Sequence, residues 1–224
     1  MSYSFGNWWV SNMKKYLTFF VPYFLFILIF TMLILSNSKA DLHEWMTSFN
    51  SPAADVFFHY YTYVGDWVPY LVIVGLLFYR YRIALFVLIA QLITGIFSQS
   101  IKHIWNEPRP ALYFQQYFPT IQLHRVVGEH LYSTHSFPSG HTITAFALFL
   151  ALAFYTTKPT LHFLYFVLAL LVGFSRIYLS QHFAIDVLVG SVIGVLVTMV
   201  CKFYFDKLPL KWAHGSLLQK PIHA

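Results

Sequence analysis

The sequence predicts an all-α, polytopic membrane protein with six transmembrane helices in one domain, residues 1–224, and three observations carry that prediction. Of its residues, 58% are hydrophobic and only 10% charged, against about 25% charged in a soluble domain. Six apolar runs recur along the chain, and none alternates apolar with polar residues as a β-barrel span does. No polar, Gly/Ser-rich or Pro-rich linker separates two halves, and there is no internal repeat or low-complexity tract.

Residues 1–15, with YSFGNWW at 3–9, read as an interfacial segment that places Trp8 and Trp9 at headgroup level. The first run, 16–35, holds 20 residues without a charge, enough at 1.5 Å per residue to cross about 30 Å of hydrocarbon. Lys14 and Lys15 precede it as in a secretory signal, but the run is too long and no small-x-small cleavage site follows, so it is expected in the mature protein. The second run, 56–79, contains Gly65, Asp66 and Pro69, and its crossing is expected to start near Trp67 and reach Arg80. The third is 83–101, with Gln91, Ser98 and Gln99 expected to face the bundle interior because they are costly against lipid. The fourth and fifth are 141–157 and 161–175. The sixth, 183–201, carries Gly190 and Gly194 at the small-residue spacing of packed helices and the sole cysteine, Cys201. That glycine pair fits packing inside one subunit as well as between two, so oligomeric state stays open.

Six helices put both termini on one side. With the termini inside, the inner loops carry Lys14, Lys15, Arg80, Arg82, Lys158, Lys202, Lys207, Lys211 and Lys220, and the outer side only Lys39, Lys102, Arg109, Arg125 and Arg176. The positive-inside bias therefore predicts N-in and C-in. The formal charge of +6 is scattered in ones and twos, not gathered in a stripe, which argues against a nucleic-acid platform.

This topology brings three polar stretches to the outer face: KHIWNEPRP at 102–110, PSGH at 138–141 and SRIYLSQHFAID at 175–186. Lys102, Arg109 and Arg176 supply positive charge, and an arginine fork grips two oxygens of a phosphate. Each alone would also suit a cation snorkelling to the headgroups. Ser139 and Gly140 precede a helix whose first amides lack intrahelical acceptors, a seat for an anion, although Ser139 would equally serve as an ordinary N-cap. His182 and Asp186 are four apart and share a face if the sixth helix has begun by then, so the carboxylate would hold one ring nitrogen and leave the other to attack. Histidines beside Asp186 could suggest a metal, but the chain has no HExxH, and three cations make a poor cation site. His135 lies beside the PSGH stretch and is the other histidine of interest.

These residues resemble the type 2 phosphatidic acid phosphatase superfamily. Its pattern of K-x6-R-P, P-S-G-H and S-R-x5-H-x3-D is matched by Lys102 to Pro110, Pro138 to His141 and Ser175 to Asp186, in order and without a gap. The resemblance spans about 60–203. It implies that His182 attacks phosphorus with Asp186 behind it, that His141 protonates the departing oxygen, and that Lys102, Arg109, Arg176, Ser139 and the Gly140 amide hold the phosphate, with no metal and no cofactor.

The implied partner is a phosphorylated lipid in a bacterial inner membrane, met at the periplasmic face. Undecaprenyl diphosphate ranks first, with lipid A 1-phosphate, phosphatidic acid and phosphatidylglycerophosphate behind it. A lipid-linked phosphotransferase or a vanadate haloperoxidase would use the same cradle. A transporter is disfavoured because the charges gather at one face. Glu107 and the 111–137 loop are candidates for headgroup selection that no physical rule decodes.

Overall fold

The computed structural model describes Gly6 and residues 14–219, so the proposed interfacial tryptophans Trp8 and Trp9 lie outside the described residues. Within them the chain is helical: α1 Leu17–Ser36, α2 Lys39–Thr47, α3 Pro52–Tyr61, α4 Val68–Tyr79, α5 Tyr81–Ile104, α6 Pro110–Tyr117, α7 Gly140–Ala153, α8 Pro159–Tyr178 and α9 Ala184–Phe205. Two 3-10 turns, Thr62–Gly65 and Lys211–His214, complete the order.

Each apolar run forms helix, but their lengths differ from expectation. α1, α5, α8 and α9 are long and apolar enough to span a bilayer. Residues 52–79 form a fifth span only as a bent pair, with a 56° break. The break falls where Gly65 ends the 3-10 turn and Asp66 leaves helical geometry, before Pro69 helps to start α4. The fourth run stops at Ala153, not at 157, because 154–158 turn before Pro159 opens α8. Its 14 residues rise about 21 Å, short of the hydrocarbon thickness. α8 runs on to Tyr178, which carries Arg176 on its last turn.

The connections at 37–67 and 105–139 contain helices of their own. Ser38 Oγ accepts the Asp41 amide to cap α2, and Ser51 Oγ accepts the Ala54 amide to cap α3, with Pro52 in its first turn. α6 begins at Pro110, immediately after Arg109.

The short helix α7 is the axis of the bundle: ten of its 14 residues are buried, and it packs against α5, α8 and α9. Around it Phe86, Phe146, Leu150, Phe166 and Met199 form the main core. Exposed Leu25, Leu28, Ile29 and Met32 line the outside of α1, an apolar face that suits lipid and not water. Gln91 and Ser98 are buried as expected, but Gln99 is exposed. Seven residues, close to two full turns, put Ser98 under Gln91, whereas Gln99 lies about 100° further round the helix.

The glycine pair of α9 faces α7. A Cβ at Gly190 would sit 2.8 Å from the Ser139 carbonyl oxygen, and one at Gly194 2.6 Å from that of Ile143. Only glycine permits this approach, so the pair packs helices inside the subunit.

Candidate active site

The residues of the three motifs gather where α5, α7, α8 and α9 meet the connections at 37–67 and 105–139. Asp186 lies in the first turn of α9, and its Oδ2 accepts the Phe183 amide at 2.9 Å, closing the cap of that helix. His182 therefore sits before the helix, not on a shared helical face as expected. It is the capping turn that brings Nδ1 to 3.5 Å from Asp186 Oδ2. That nitrogen makes no good hydrogen bond in this geometry, although both side chains are buried. Burial, and after it the charges of Arg109, Arg176 and Lys102, hold the His182 imidazole well below its ordinary pKa. It is neutral at pH 7, the form that can attack an electrophile through Nε2.

Ser139 caps α7. Its Oγ accepts the Thr142 hydroxyl at 2.8 Å and the Thr142 amide at 3.4 Å, which leaves its own proton free for an anion. Its amide donates to the Asp186 carbonyl at 3.0 Å, so the seat and the carboxylate are joined through backbone. Gly140 opens the helix, and its amide has no intrahelical acceptor. A Cβ there would come 3.4 Å from Ser98 Oγ and 3.9 Å from Lys102 Cε. His141 follows, half-buried. Gly65 lies so close behind it that a Cβ would meet the His141 carbonyl oxygen at 2.7 Å.

The three cations rest on neutral oxygens. Lys102 Nζ donates to the His135 carbonyl at 2.7 Å, and Arg109 Nε to that of Thr134 at 2.9 Å. Arg109 Nη1 reaches the Gln181 side-chain oxygen at 3.0 Å, and its guanidinium lies over the Tyr132 ring. Arg176, buried at the end of α8, donates through Nη1 to Thr62 Oγ1 at 2.6 Å, while its Nε has no partner. No carboxylate pairs with any of them among the described residues. Three charges in a partly desolvated site without a counterion favour an anion strongly.

His135 is exposed, with φ of 57°, and contributes its carbonyl instead of its ring. Glu107 is exposed too, and its carboxylate stands 4.0 Å from Lys39. Sequence reasoning missed Ser136, Thr142, Thr62 and Gln181, all of them buried. They are ordinary polar residues whose partners, apart from that of Thr142, lie 50 to 114 positions away. Ser136 and Thr142 flank the PSGH stretch and Gln181 lies within the third motif, next to His182, which is the one signal that could have flagged them. Residues 111–133 line a cavity of about 990 Å³, with Gln115, Gln122, Arg125, Glu129 and Tyr132 in its wall, and the Tyr132 ring lies against the Arg109 guanidinium.

A family model described as the PAP2 superfamily matches residues 80–209, more than half of the chain. The chain belongs to the PAP2 superfamily. The matched segment holds every PAP2 motif residue named above. Phosphatidylglycerophosphatase B of Bacillus subtilis is 34% identical over 85 residues, covering 34% of this chain and 42% of that protein. Undecaprenyl-diphosphatase BcrC of the same organism is 31% identical over 120 residues, covering 52% and 56%. The matches thus span about half the length of these relatives. The crystal structure of Aquifex aeolicus LpxE superposes with a TM-score of 0.66 at 28% identity, covering 74% of this chain and 94% of that one. The PAP2 core therefore extends beyond the motifs to the arrangement of helices.

Proposed function

We propose that this chain is a membrane lipid phosphatase or diphosphatase that works through a phosphohistidine. The observation that carries this reading is the set of Lys102, Arg109 and Arg176 around a neutral His182, the three cations having no carboxylate partner among the described residues. His182 Nε2 attacks phosphorus, and Asp186 stabilises the ring as it becomes positive. The bond from phosphorus to the lipid-side oxygen breaks, and His141 gives that oxygen a proton. Water then attacks the phosphohistidine, His141 takes its proton, and inorganic phosphate leaves with His182 restored. The cations, Ser139 and the Gly140 amide hold the non-bridging oxygens as charge builds. The cycle closes on protons and water without a metal or other cofactor.

The same reading treats residues 1–224 as one domain crossing the membrane six times, with both termini inside and the site at the periplasmic face of a bacterial inner membrane. Six crossings require the bent pair at 52–79 to count as one span and the short α7, whose residues are mostly buried by its neighbours, as another. Undecaprenyl diphosphate remains the first choice of substrate, supported by the likeness to undecaprenyl-diphosphatase BcrC. The likeness to phosphatidylglycerophosphatase B supports a glycerophospholipid phosphate as the second reading.

The deciding experiment is phosphate release in detergent micelles with EDTA present, from undecaprenyl diphosphate, phosphatidic acid, phosphatidylglycerophosphate and lipid A, beside His182→Ala. The expected outcome is EDTA-resistant release from at least one lipid, lowered by about a thousandfold or more in the variant. Equal release by His182→Ala sinks the mechanism. A phosphorylated acceptor in place of inorganic phosphate turns the reading to phosphoryl transfer.

A further inference from the structure

Ser136 belongs to none of the three motifs, yet it makes the tightest contact that the Asp186 carboxylate receives. Its hydroxyl donates to Asp186 Oδ2 at 2.5 Å, against 2.9 Å from the Phe183 amide and 3.5 Å to His182 Nδ1. All three groups address the same oxygen. Ser136 is itself fully buried, and its amide donates to the Glu107 carbonyl at 3.0 Å. The donor is thus anchored at its backbone to the segment that carries Lys102 and Arg109, while the acceptor belongs to the opening turn of α9.

We infer that Ser136 is a positioning residue for Asp186, an inference that rests on the phosphohistidine reading. A carboxylate turns about its Cβ–Cγ bond, and the Phe183 amide alone fixes only one contact to it. The second donor, arriving from a chain segment 50 positions earlier, locks that rotation and keeps Oδ2 turned toward His182. When the imidazole takes the phosphoryl group it becomes positive, and Nδ1–H then needs a strong, correctly placed acceptor. The Ser136 hydroxyl also favours the ionised form of the buried carboxylate, because a donor stabilises the charged form of a group removed from water. Ser136 is assigned no phosphate contact, since its hydroxyl proton is committed to Asp186. Its influence on the reaction runs through Asp186 and not through the bound oxygens.

That division fixes the test. On the lipid that the wild-type protein hydrolyses, kcat, KM and inhibition by inorganic phosphate are measured for wild type and Ser136→Ala, each taken from the folded, monodisperse fraction in detergent. The expected result is a fall in kcat of about tenfold to a hundredfold, the loss typical of one hydrogen bond to a buried charge. KM and the inhibition constant for phosphate stay within about twofold of wild type. An unchanged kcat overturns the inference. So does a rise in KM and in the phosphate inhibition constant, which would place Ser136 in the structure of the phosphate seat. If the wild-type protein releases phosphate from no lipid, the functional reading itself fails, and this is seen before the variant is compared.

Discussion

At the scale of single residues, burial decides protonation. His43, on α2, is 1% exposed, its Nε2 lies 3.2 Å from Ser180 Oγ, and its ring packs on Phe183, next to His182 in the chain. Burial brings its pKa down to about 4. Between about pH 4 and 6.5 the unfolded chain binds a proton at this site that the folded chain refuses. The resulting stability is fully present above pH 6.5 and is lost as pH falls toward 4, on the order of 3 kcal/mol for a shift of this size. His182 is lowered for the same first reason and adds to the same slope. Thermal unfolding in detergent should therefore show Tm falling from pH 7 to pH 4.5, and His43→Phe should flatten part of that fall. A Tm independent of pH in both proteins would contradict the burial of these rings. What was legible in the sequence at this scale is the set of charged and histidine side chains, because their chemistry is rare in an apolar chain. Ser136, Thr62 and Gln181 were not, because serine, threonine and glutamine carry no such signal until their distant partners are known.

At the scale of elements, hydropathy located the helices but not their lengths or breaks. Pro159 and Pro110 start helices where the fixed φ of proline suits a first turn. The bend at 62–67 was foreshadowed by Gly65 and Asp66, whereas the ordered α2, α3 and α6 were hidden in segments of mixed composition. The contact of α7 with α9 has a sharp consequence. Gly194→Val places carbon where a backbone oxygen stands 2.6 Å away, and no side-chain rotation relieves that clash. The two helices must part, at an expected loss of about 2–3 kcal/mol. Because Ser139 and Asp186 are linked across this joint, phosphate release should fall together with Tm. The paired measurement on Gly194→Val checks it, and a variant with unchanged Tm would refute the tight approach.

At the scale of the whole molecule, the apolar exterior and the polar outer loops define a direction across the bilayer. Arg80, Arg82, Lys158 and Lys207 are at the end opposite the site, and Lys202 there pairs with Asp206 beneath the rings of Phe86, Phe154 and Tyr155. With the buried Cys201 replaced by alanine, single cysteines at Lys158 and at Val127 report sidedness. An impermeant thiol reagent applied to intact cells should label the Val127→Cys site, which is 95% exposed, and not the Lys158→Cys site. The reverse pattern would invert the orientation. Counting basic residues was enough to frame this expectation, but not to count crossings, since α7 is too short to span alone and the bent pair spans only when its two helices are taken together.

The two halves of the site are built in different ways. Ser139, Gly140, His141, His182 and Asp186 lie in or just before the first turns of two helices whose backbones approach closely, whereas Lys102 at the end of α5 and Arg109 just before α6 donate to carbonyls of residues 135 and 134 in a long connection. The first half is held by helix packing, whereas the second takes part of its support from how that connection folds. Exchanging the outer connection between relatives should change which lipid enters without retuning the chemistry.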